Sequence, residues 1–194
     1  MRVSSGFDFS FAKELTLIIR DACHRRLASS VPKSQVVIEN LEKEDDFIYG
    51  QWMSLILLVG PSLQITLKAH YFNKAVHNIL HKNFEFQSKI SANMIMDFMR
   101  EFLNLASGEI KASLAKHNIS IGLSLPLITR GFDEVLFSDQ IVDRAINDWW
   151  QFKSDFGAII CSAEIEIFQP EEFKDLDKVV RETESTAVGD IDFL

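Results

Sequence analysis

Apolar and polar positions recur along this chain with two different periods. Residues 9–28 place Phe11, Leu15, Ile18, Ile19 and Ala22 at helical spacing, with Ser10 positioned to cap the start ahead of Lys13 and Glu14. Ser29, Ser30 and Pro32 are expected to end that helix. Strand patterns follow at 35–41, 47–59 and 63–71. The charged segment 42–46 parts the first two, and Gly60-Pro61-Ser62 forms a hairpin-like loop between the second two. Residues 73–82 read as a short helix with Ala75, Val76, Ile79 and Leu80 inward, and 91–117 as a long one. Strands are expected again at 119–129, 145–153 and 158–168. In the last, Ile159, Cys161, Ala163, Ile165 and Ile167 share one side, and Ile160, Ser162, Glu164 and Glu166 the other. Antiparallel strands interleaved with two or three helices predict an α+β fold. One antiparallel sheet would carry the helices on a face, with the long helix central.

The long helix has the sharpest division. At about 100° per residue, Ile95, Met99, Phe102, Leu103, Ala106 and Ile110 fall on one arc. Asp97, Arg100, Glu101, Asn104, Ser107, Gly108 and Lys111 fall on the opposite one. Glu101 and Asn104 are three apart, so their side chains are neighbours. Gly108 shares that face one turn on. A helical Gly costs about 1 kcal/mol relative to Ala, so its place on an exposed face asks for a reason, and close approach of another backbone is one.

Length and composition narrow the function. The chain has 194 residues, 47% of them hydrophobic, enough for a proper core. Its formal net charge of −8 repels phosphate backbones and argues against nucleic acid as a partner. From 170 onward, eight acids stand against three bases. A short helix with Phe173, Leu176, Val179 and Val180 on a stripe, then an acidic tail, is expected there. The expected division is therefore a domain over 1–169 and an acidic C-terminal helix and tail over 170–194. Cys23 and Cys161 sit in apolar surroundings and read as reduced, buried residues. Asp8, Lys13 and Glu14 interrupt the first apolar residues, so no signal peptide is read. The longest apolar run, 55–59, is too short for a bilayer, and a cytoplasmic protein without membrane insertion is expected.

The run Glu101-Phe-Leu-Asn104-Leu-Ala-Ser-Gly108, followed by Leu-Ser-Leu-Pro126 and Gly131, resembles the CheC/CheX group of chemotaxis phosphatases. That group has an E-x-x-N pair on a long helix, a Gly one turn later, and a strand with a Pro before a closing Gly. The resemblance extends over about residues 10 to 168. It is CheX-like, because the other helices lack a second pair: Glu14 is followed by Leu17 where Asn would stand, and 73–82 has no Glu.

The resemblance implies hydrolysis of the phospho-aspartate of a phosphorylated CheY-like response regulator. Asn104 would orient the attacking water, and Glu101 would pair with the regulator's active-site lysine. Asp97, Arg100, Gly108 and Lys111 would flank the contact with the partner. No cofactor of this chain is implied, and the Mg²⁺ would belong to the regulator. A homodimer is implied as well. A second class is a non-catalytic module of the same fold that sequesters a response regulator or a flagellar-switch component. The presence of both Glu101 and Asn104 favours the enzyme.

Other patterns are weaker. His77 and His81 have the spacing of a two-His metal face, but Asn78 stands where a catalytic base would be and no third ligand is evident. No Gly-rich phosphate loop occurs. Adjacent Trp149 and Trp150 on a strand should point to opposite faces, and one could cover a subunit contact.

Overall fold

The computed structural model describes residues 2–3, 11–31, 36–41, 50–83, 90–133, 145–173 and 176. The elements in chain order are β1 (Arg2–Val3), α1 (Ala12–Ser30), β2 (Val37–Asn40), β3 (Trp52–Val59) and β4 (Leu63–Tyr71). Then come α2 (Asn73–Asn83), α3 (Ala92–Ala115), β5 (Gly122–Leu123), β6 (Leu127–Arg130), β7 (Ala145–Ser154) and β8 (Gly157–Ile167). A 3-10 turn over Gly131–Asp133 follows β6, and another over Pro170–Phe173 follows β8. The expected α+β architecture is the one observed.

All strand pairings are antiparallel, in the order β1-β7-β8-β4-β3-β5. The short edge elements share partners: β2 also pairs with β7, and β6 with β3. Alternation sets which face is covered. Ile159, Cys161, Ala163, Ile165 and Ile167 of β8 are all buried, as are Leu63, Ile65, Leu67, Ala69 and Tyr71 of β4. This face packs against α1 and α3 in one core. On β7, Trp150 is fully buried on that face and Trp149 is only half-buried on the other, the opposition that strand geometry predicts.

Several boundaries differ from expectation for local reasons. Helix α1 is capped by the backbone of Phe11 without a side-chain cap, and it continues through Ser29 and Ser30. Both hydroxyls donate back to the Arg26 carbonyl, at 2.8 and 3.0 Å, so neither serine competes to open the helix. Ser10, the charged segment 42–46, the strand start at 47–49, and Val179 and Val180 lie outside the described residues. The strand expected over 119–129 is two short ones broken at Pro126. Proline has no N–H to donate to a ladder. Ser124 bridges the break: its N–H donates to the Leu57 carbonyl at 2.9 Å, and its Oγ accepts from the Leu57 N–H at 3.0 Å.

Two glycines let that edge close. A Cβ on Gly131 would stand 1.9 Å from the Gly50 carbonyl oxygen, and one on Gly60 would stand 2.2 Å from the Ser120 carbonyl oxygen. Past the sheet, Phe173 stacks on Phe11 at 4.6 Å between ring centroids, and both Phe173 and Leu176 are buried in the common core.

Candidate functional site

Helix α3 spans the sheet alongside β3. Its start is capped by Ser91, whose Oγ accepts from the Met94 N–H at 3.3 Å. The expected apolar arc is buried throughout, with Met99, Leu103, Ala106 and Ile110 at zero exposure. One position on the polar arc is corrected. Ser107 is fully buried, and among the described residues its hydroxyl has no hydrogen-bond partner. It sits at the edge of the arc, where a small side chain fits under the helix.

The rest of the polar arc faces outward. Asp97, Arg100, Glu101, Asn104, Gly108 and Lys111 are all exposed. Arg100 Nη1 donates to Asp97 Oδ1 at 2.9 Å, one turn before Glu101 and Asn104. Among the described residues, neither Glu101 nor Asn104 has a side-chain hydrogen bond or ion pair. Gly108 is equally open: a Cβ built there would meet nothing within 4 Å. No backbone of this chain approaches it, so the intramolecular reason for a helical glycine is absent among the described residues.

The helix is held in this rotation from its other flank. Glu109 accepts from Arg25 at 3.2 Å and pairs with Arg26 at 2.5 Å, both on α1. That flank is locked to α1, and the helix also meets α2, β5 and β6. Tyr71, at the end of β4, is buried. Burial pushes its phenol above the usual range, with Ser54 and the Arg100 charge pulling the other way.

Beside Tyr71 in the ladder stand Trp52 and then Arg130. The Arg130 guanidinium lies over the Trp52 ring, 3.9 Å from its centroid. This cation–π pair was not foreseen in the sequence, where the strand was expected to stop at 129.

The other candidates separate from this face. His77 and His81 stack at 6.1 Å between rings, and among the described residues no group of three or more His, Cys, Asp or Glu could hold a metal ion. A cleft lined by Phe72, Lys74, Asn78, Asp155, Gly157 and Ile160 among others includes no α3 residue. Cys23 and Cys161 are free and buried. Burial pushes the Cys23 thiol up to about 12, with Glu109 adding to it, and pushes Cys161 well above its ordinary value, with Cys23 adding to it. Neither is a nucleophile at neutral pH. No described helix is long and apolar enough to cross a membrane.

A long helix displaying an exposed E-x-x-N over an antiparallel sheet can be set against solved structures. A crystal structure of the chemotaxis protein CheX from Vibrio vulnificus superposes with a TM-score of 0.62 at 15% identity, covering 79% of this chain and 99% of that one. The chain has a CheX-type fold. A CheC-like protein from a Shewanella species matches with a TM-score of 0.59 at 17% identity, over 82% of this chain and 99% of its own. The CheX of a CheX–CheY–BeF3–Mg²⁺ complex from Borrelia burgdorferi matches with a TM-score of 0.60 at 14% identity, over 78% and 97%. No family model matches the sequence, and no curated protein does. At such identities the likeness is one of fold, and it accords with the CheX-like architecture expected from the E-x-x-N helix.

Proposed function

We propose that this chain is a phosphatase for the phospho-aspartate of a CheY-like response regulator, with Glu101 and Asn104 as its working pair. One observation carries the reading: both side chains stand exposed, without a partner among the described residues, on the outer face of a helix whose other sides are buried or tied to α1. A polar pair presented in this way is accessible to a partner outside its own chain. That a CheX of the same fold has been crystallised with CheY supports a CheY-like receiver as that something.

The chemistry fits the residue types. An acyl phosphate is already activated, so hydrolysis needs no nucleophile from this chain. What remains is to place a water in line with the phosphorus and to stabilise the transferring charge. A carboxamide does not titrate in the useful range. Asn104 therefore orients the water by hydrogen bonding instead of deprotonating it. Glu101, one turn away, pairs with the receiver's lysine and fixes the register in which Asn104 enters. The Mg²⁺ that neutralises phosphoryl oxygens belongs to the receiver in this reading. The bare face over Gly108 admits the partner's backbone, and Asp97, Arg100 and Lys111 border the contact. Assembly as a homodimer belongs to the same reading and is checked by the molar mass in solution.

The competing reading is a module that binds a receiver or a flagellar-switch component without turnover. Phosphate release from a phosphorylated receiver separates the two: turnover above the receiver's own rate supports the phosphatase. Binding without any added release leaves only the module.

A further inference from the structure

Leu105 lies outside the E-x-x-N pattern, yet the helix sets it against that pattern. Positions 101 and 104 are three apart, 101 and 105 four, 104 and 108 four, and 105 and 108 three. Side chains at those spacings are neighbours on a helix surface, with Cβ atoms about 5–6 Å apart. Glu101, Asn104, Gly108 and Leu105 are therefore the four corners of one diamond on α3. Phe102 and Leu103, the apolar residues between Glu101 and Asn104, turn inward and are buried. Leu105 does not: it is 40% exposed, and among the described residues it is the one large apolar side chain of α3 that is exposed.

The corner next to Leu105 is bare, since a Cβ on Gly108 would meet nothing within 4 Å. A partner can come close to the helix there. Once it also reaches Glu101 and Asn104, it covers three corners of the diamond. The fourth lies only about 5–6 Å from two of them, so Leu105 is covered in the same event. A single exposed leucine elsewhere on a surface needs no explanation. At this corner its apolar area leaves water whenever the pair is engaged, which favours the bound state. An apolar neighbour also keeps water from the Glu101 carboxylate in the docked complex, and that strengthens pairing with a lysine.

We propose that Leu105 is the apolar docking residue of the receiver site: it sets affinity, and it selects receivers that present an uncharged, apolar contact beside the lysine taken by Glu101. The proposal rests on the receiver reading above. A receiver with a charge at that spot would bury it unpaired against Leu105 and is disfavoured. Leu105 acts on binding and Asn104 on the chemical step, so substitutions at the two positions separate in affinity and in saturated rate. Because Leu105 carries no charge, its contribution is not screened by salt.

The test is the affinity of the full chain for a Mg²⁺-loaded CheY-like receiver carrying beryllofluoride, at two salt concentrations, together with the saturated rate of phosphate release from the phosphorylated receiver. Wild type is compared with Leu105→Ala, Leu105→Gln and Leu105→Met, each checked for an unchanged thermal midpoint. Leu105→Ala is expected to bind about five- to twentyfold more weakly, the scale of covering part of a leucine side chain, and by the same factor at both salt concentrations. Its saturated release should change by less than about twofold. Leu105→Gln keeps the length of the side chain without its apolar character and is expected to bind as weakly as the alanine variant. Leu105→Met keeps apolar character and volume and is expected to stay within about threefold of wild type. Wild-type affinity in both Leu105→Ala and Leu105→Gln would overturn the docking role and leave the receiver reading standing. A fall in saturated rate at unchanged affinity would overturn it as well, by moving Leu105 to the chemical step. No binding by wild type to any CheY-like receiver would overturn both.

Discussion

Arg20 of α1 grips Asp148 of β7 with two nitrogens, Nε to Oδ2 at 2.7 Å and Nη2 to Oδ1 at 2.6 Å. The Asp148 side chain is 1% exposed and that of Arg20 17%. The same guanidinium reaches Asn40 of β2 and lies 5.4 Å from the centroid of the Trp150 ring. One side chain thus ties α1 to the covered face of the sheet. Because the carboxylate is buried, removing its partner costs more than the pair contributes. Arg20→Ala is expected to destabilise the fold by about 3–5 kcal/mol in urea unfolding. A loss under about 1 kcal/mol would mean that water reaches Asp148 and takes the place of the arginine.

The edge beside the candidate site is built on a close backbone crossing. Gly131 donates its N–H to the Gln51 carbonyl at 3.1 Å and leaves no room for a Cβ above Gly50. Gly131→Ala must push the end of β6 away from β3 and disturb Arg130, the residue before it. A destabilisation of about 1–3 kcal/mol is expected, together with a change in tryptophan fluorescence as Arg130 lifts from Trp52. An alanine variant as stable as wild type, with unaltered emission, would contradict this view of the edge.

Three buried groups make stability fall in alkali. Burial raises the Cys23 thiol to about 12, the Cys161 thiol well above its ordinary value, and the Tyr71 phenol above 10.0. Below pH 9 the thiols keep their protons in both the folded and unfolded chain, and their contribution is fully present. Above it, the unfolded chain releases protons that the folded chain retains, so stability falls as pH rises toward 12. Each thiol contributes up to about 1.4 kcal/mol per pH unit in that window. Denaturant midpoints between pH 8 and 11 measure the slope. Cys23→Ala with Cys161→Ala should flatten it, and an unchanged slope would assign the loss to other groups.

Much of this architecture is legible in the sequence because it rests on periodicity. The long helix shows its phase plainly, as every member of the expected apolar arc is buried. Strand β4 is bounded by the Gly60-Pro61-Ser62 loop and alternates cleanly, and it matches the expected 63–71. Features that depend on distant partners are not legible in this way. Ser107 looks polar on a helical wheel, but its burial depends on what the edge of α3 faces. Pro126 marks a disruption, and only the pairing with β3 reveals a broken strand instead of a strand end. Ser29 and Ser30 resemble breakers, yet back-bonding to Arg26 keeps them helical. Arg130 and Trp52 are far apart in sequence, and no local pattern announces that they stack. Spacing puts Glu101 and Asn104 side by side on one helical face, but only the resemblance singles them out as the expected pair.

The central claim is that Asn104 orients the water that releases phosphate from a phosphorylated receiver. Its side chain is exposed, so Asn104→Ala should leave the fold and its thermal midpoint unchanged. The decisive measurement is the rate of phosphate release from a phosphorylated CheY-like regulator, with wild type and with Asn104→Ala at saturating concentrations. The account predicts clear acceleration by the wild type and a loss of about a hundredfold or more in the variant, the scale on which a positioned hydrogen-bonding group acts in a transition state. Equal acceleration by both proteins would contradict it and move the chemistry away from α3.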